Sequence, residues 1–179
     1  MNDNFHIREI IYDGFKTIQS RRKRFLLLVL IPSLVGALIS FAKGYSISES
    51  YINIIISSLS IFTGFFFTLI VYVADKAANK KNDYRGKDNE EEKRFIDRYL
   101  NFTEKLISQI SYSILLSIII ILLSLVSQLN IPCIFSGSFC LLVNTCLLAL
   151  ILSIIVHFMI YLLLIVSNMY ALFLEEIKR

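Results

Sequence analysis

The chain has 179 residues, 56% of them hydrophobic and 18% charged, with a net charge of +4 and a mean hydropathy of +0.67. Those values exclude an ordinary soluble domain. Apolar runs recur over 25–42, 51–74, 107–127 and 139–166, each long enough to cross about 30 Å of hydrocarbon as helix. The fold class expected is all-α: an integral membrane protein with four transmembrane helices and a cytoplasmic helical hairpin between helices two and three. No room remains for a conventional catalytic domain.

Residues 1–24 form the N-terminal segment. Ile7, Ile11, Phe15 and Ile18 fall on a rough common face, with Gly14 weakening the helix. The pattern predicts an amphipathic helix at the inner membrane interface. "RRKR" follows at 21–24. One reading is anchoring against anionic lipid. The other is a site for a phosphate-rich ligand such as an oligonucleotide, built from Arg21, Arg22, Arg24, Lys76, Lys80 and Lys81, because arginine pairs with phosphate through two hydrogen bonds.

Residues 25–74 hold helices one and two. Pro32 interrupts the first apolar core, and Asp3, Glu9 and Asp13 precede it. With no small-x-small cleavage pattern at its end, it does not read as a removable signal peptide. The second span, "NIIISSLSIFTGFFFTLIVYVAD", carries Asn53, Ser57, Ser60, Gly64, Thr68 and Asp75. At 100° per residue these six share a face about 80° wide. The stripe is either a helix-packing seam or the wall of a water-filled pore. In the pore reading Asp75 forms a carboxylate ring at the inner mouth, and Phe65, Phe66 and Phe67 sit just off the stripe as a dewetting gate.

Residues 75–106 read as a cytoplasmic helical hairpin. "DNEEEKRFIDRYLNFTEKL" at 88–106 has Asp88 or Asn89 as N-cap and Glu90, Glu91 and Glu92 at the positive helix end. Phe95, Tyr99, Phe102 and Leu106 supply its apolar seam. The helix is expected to run straight into the third span, and the second span to overrun the lipid through "ADKAANKK".

Residues 107–179 hold helices three and four and a short tail. Gln109, Ser113, Ser117, Ser124, Ser127 and Gln128 cluster on one side of the third span. Cys146, Ala149, Ser153, His157 and Asn168 share a face of the fourth. One bundle could bury all three stripes, or an oligomer could bury two and turn one toward a central axis. Cys133 and Cys140 flank "IFSGSF" on the outer side, where a disulfide is permitted.

Every Lys and Arg except Lys43 falls before the first span, between the second and third, or in the tail. The positive-inside rule therefore places both termini and the central loop in the cytoplasm. There is no CxxC, HExxH, P-loop or GxSxG, and the two histidines, His6 and His157, are far apart. Neither an enzyme, a metal site nor a cofactor is expected.

In this ordering, and in the spans "SLSIFTGFFFTLIVYVAD" and "ISYSILLSIIIILLSLV", the chain resembles small membrane effectors of bacterial anti-phage defence. The group includes the channel-forming partner of the nucleotidyltransferase in the Hailong system and the membrane component of Kiwa. The resemblance implies a homo-oligomeric ion channel of the bacterial inner membrane, taken as a tetramer, whose opening depolarises the cell. In the Hailong-like case it also implies control by an oligonucleotide and a cytoplasmic nucleotidyltransferase as partner. The competing classes are a membrane scaffold for a cytoplasmic defence partner and a holin-like pore.

Overall fold

The computed structural model describes residues 7–16, 22, 25–43, 49–83, 90–128 and 137–177, and every described residue is helical. Helix α1 is Ile7–Lys16. Helix α2 opens as a π-helical turn, Leu26–Leu30, and continues as Ile31–Lys43. Three long helices follow: α3 is Glu49–Asp83, α4 is Glu90–Gln128 and α5 is Gly137–Ile177. These three are long and apolar enough to cross a membrane; α2 contributes only a shorter apolar stretch, Leu26–Ala42.

A seven-residue repeat explains how the long helices meet. On α4, Ile96, Thr103, Ile110, Ser117 and Ser124 are spaced by seven, as are Tyr99, Leu106, Ser113 and Ile120 three residues later. All nine are buried. That is the a/d pattern of a coiled coil. Small Ser and Thr at many of these positions let neighbouring backbones come close. On α3 the repeat places Ile52, Leu59, Phe66 and Val73 in the core, and on α5 it places Ile151, Phe158, Ile165 and Leu172 there. Helices α3 and α5 both pack on α4, and α2 packs on α5.

Helices α3 and α4 run unbroken past their apolar stretches, so the expected hairpin arms are helical. They also touch. The Lys80 ammonium lies 5.9 Å from the Phe95 ring centre and 5.2 Å from that of Tyr99, within cation–π range. Helix α5 begins at Gly137, so Gly137–Cys140 is helical, where the sequence suggested a loop to 138.

Helix α1 docks on α4, with Ile10 packed against the core and Ile11 40% exposed. The side chains of Ile7 and Phe15, and all of Ile18, lie outside the described residues. Gly14 permits the close approach. A Cβ there would sit 2.7 Å from the Tyr112 ring, so only glycine lets the backbone reach that ring. Tyr161 Oη then donates to the Gly14 carbonyl at 2.8 Å.

The α2–α5 contact is equally close. A Cβ on Gly36 would collide with the Ser153 side chain and lie 2.7 Å from the Ala149 carbonyl oxygen. One turn on, buried Ser40 donates to the Thr145 carbonyl at 3.1 Å. Gly36 and Ser40 thus act as a small-xxx-small pair. Gly36→Val should destabilise the bundle by about 1–3 kcal/mol, the usual cost of overpacking. Thermal unfolding in detergent would register it, with Leu38→Val, on an exposed face, as the silent control.

Candidate functional site

The three polar stripes meet different fates. On α4, Gln109, Ser113, Ser117 and Ser124 are all buried within the chain. Ser117 shares a hydrogen bond with Thr63 of α3 at 2.7 Å. Gln109 Oε1 accepts from Asn168 of α5 at 2.7 Å. This stripe is a seam between helices of one chain. The stripe of α5 is also largely taken up: Asn168 is in that bond, Ser153 faces Gly36 and His157 is buried, whereas Cys146 is exposed.

The stripe of α3 is the exception. Asn53, Ser57, Ser60, Gly64, Thr68 and Asp75 are all exposed. The helix wheel sets their centre roughly 150° from the line through Ile52, Leu59, Phe66 and Val73 that packs on α4. A Cβ added to Gly64 would meet nothing within 4 Å. Over its most apolar stretch α3 is only 11% buried, against 44% for α4 and 28% for α5. The stripe is therefore presented outward.

Its polar groups are partly satisfied on the spot. Ser60 donates to the Ile56 carbonyl at 2.8 Å and Thr68 to the Gly64 carbonyl at 3.2 Å. Asn53 Oδ1 accepts from Gln128 of α4 at 3.2 Å. Hydroxyls bonded to their own helix need no partner, so such a face tolerates water, another helix or lipid.

The three phenylalanines are not equivalent. Phe66 is a core residue, 2% exposed and edge-on to Phe158 at 6.1 Å. Phe65 and Phe67 are exposed. On the wheel Phe67 lies about 60° from the stripe centre and Phe65 about 100° on the other side. Phe67 is thus the nearest of the three phenylalanines to the stripe.

The described basic residues divide between two settings. Lys76 lies over the Tyr72 and Phe173 rings at 5.6 and 5.7 Å, and Lys80 over those of Phe95 and Tyr99. Lys81 is exposed on α3. Arg22 instead borders a groove at the start of α2. Arg21 and Arg24 lie outside the described residues, as do Cys133 and the side chain of Cys140.

A buried cluster that the sequence only half disclosed lies between α2, α4 and α5. Pro32 has no N–H, so the Leu28 carbonyl loses its normal helical donor. His157 Nδ1 takes that place at 2.7 Å. A carbonyl can only accept, so Nδ1 carries the proton, and in the neutral ring Nε2 accepts from the Tyr112 hydroxyl at 3.0 Å. The Tyr112, His157 and Tyr161 ring centres lie 4.6–5.8 Å apart, Tyr112 edge-on to His157 and Tyr161 tilted against both. Tyr112, Tyr161 and Gly14 were not singled out as a site by the sequence. The available signals were two tyrosines in apolar runs, one of them four residues from His157.

Among the described residues no group of three His, Cys, Asp or Glu could hold a metal ion. No protein-family model, curated protein or solved structure matches the chain.

If His157 repairs what Pro32 breaks, the two substitutions must couple. His157→Phe leaves the Leu28 carbonyl without that bond and should cost about 1–3 kcal/mol. In a Pro32→Ala background, where residue 32 regains its N–H, the cost should shrink by about 1 kcal/mol. Additive losses in a denaturation cycle would refute the link.

Proposed function

We propose that the chain forms a homo-oligomeric ion channel in a membrane, with the α3 stripe of each copy facing a shared axis. The observation that carries this reading is the outward stripe: among the described residues, the α4 stripe and most of the α5 stripe are taken up within the chain, whereas every member of the α3 stripe is exposed. Facing lipid, Asn53, Ser57, Gly64 and Asp75 would gain nothing. Facing one another around water, they are hydrated. Asp75 then rings one mouth and favours cations.

In this reading α2 is the first of four spans. Its apolar Leu26–Ala42 stretch has 17 residues and reaches about 26 Å, which local thinning of the bilayer accommodates. Both termini and the α3–α4 hairpin are cytoplasmic. Phe66 is held in the core, so gating falls to Phe67, which a rotation of α3 by about 60° brings onto the axis. The anti-phage setting implied by the resemblance, with an oligonucleotide as trigger, belongs to the same proposal: opening would depolarise the infected cell.

Planar-bilayer recording discriminates pore from seam. Ser60→Leu should block current while leaving the oligomer intact, and Asp75→Asn should lower cation over anion preference. If Ser60→Leu instead disassembles the oligomer, the stripe is an interface between copies and no pore. Topology is checked separately with an impermeant thiol reagent on intact cells, or on spheroplasts where an outer membrane is present. Ser48→Cys should label and Arg85→Cys should not; the reverse pattern would overturn the orientation.

A further inference from the structure

We propose that the start of α2 is a binding site for one anionic phospholipid of the inner leaflet. Arg22, Phe25, Leu26 and Leu30 line a groove of about 480 Å³. Arg22, Leu26 and Leu30 line it together, with Phe25 beside them. Phe25 is 60% exposed, Leu26 51% and Leu30 42%, while Leu28 between them is turned into the core, where its carbonyl accepts from His157. The groove is therefore largely apolar, with one cation, Arg22, among its lining residues.

Charge complementarity names the occupant. Arg22 is exposed and makes no ion pair among the described residues. Arg21, Lys23 and Arg24 adjoin it in the chain. A membrane-entering helix with a basic start sets its arginines at headgroup level and its next turns beside the acyl chains. A phosphate on Arg22 then directs an acyl chain down Leu26 and Leu30. A soluble phosphate or oligonucleotide has no acyl chain to lay on the apolar floor formed by Phe25, Leu26 and Leu30. The site does not depend on whether α3 lines a pore.

The test uses the full chain in neutral detergent and native mass spectrometry with dioleoyl phosphatidylglycerol and dioleoyl phosphatidylcholine. Phosphatidylglycerol should be retained preferentially, and Arg22→Gln should lower that preference about fivefold, as expected for loss of one cation near a membrane surface. Arg22→Lys should keep most of it. Leu26→Ala, at an exposed position, should weaken retention of both lipids equally. Excess glycerol 1-phosphate or a short oligonucleotide should not displace the lipid. Equal retention of the two lipids, or indifference to Arg22→Gln, would reduce the groove to nonspecific lipid contact. Displacement by either soluble phosphate would reassign it to a soluble ligand.

Discussion

The a/d repeat of α4 is the constraint on which the remaining helices depend. Its buried positions run from Ile96 to Ser124 without a break in register, giving α3 and α5 one continuous surface to follow. Because a repeat of seven falls just short of the roughly 7.2 residues in two α-helical turns, it favours a shallow left-handed crossing. Small residues on that surface let the helices close in. Ser117 on that surface also bonds to Thr63, and Gln109 beside it bonds to Asn168. One feature of the sequence thus sets spacing, direction and partner choice together.

The second organising element is a defect and its repair. Pro32 leaves the Leu28 carbonyl without a helical donor, and the turn around it is π-helical. His157 supplies the missing proton, Tyr112 fixes the other ring nitrogen, and Tyr161 carries the network to Gly14. Four helices are joined through three rings. Glycine at 14 and glycine at 36 serve the same end at two sites, each allowing a backbone to approach where a methyl group would collide.

These two arrangements use up the inward-facing polarity, and the outward face of α3 follows from that. A stripe nearly opposite the packed line is what remains after Ile52, Leu59, Phe66 and Val73 have turned to α4. In the channel reading proposed above, the link to function lies there: the core decides which polar face is left for a neighbouring copy and for water. It also separates the phenylalanines, since Phe66 is packed against Phe158 and Phe67 is exposed.

The sequence by itself determined the helical class, the three long apolar helices and the continuous arms, because hydropathy over twenty residues and 3.6-residue periodicity are local properties. It also located the Asn53–Asp75 stripe on one face, since that needs only the helix wheel. It did not determine which stripe would be buried. Ser117 and Gln109 look polar in hydropathy, and only their contacts with Thr63 and Asn168 turn them into seam residues. The role of Gly14 was hidden for a similar reason: a glycine reads as a weak helix former until the Tyr112 ring lies against it. The π turn at the start of α2 also needed tertiary structure, because Pro32 announces a broken hydrogen bond but not the His157 that replaces it, 125 positions along the chain. Local pattern fixes what each helix is, while the pairing of distant faces, which no short window contains, fixes what each helix is for.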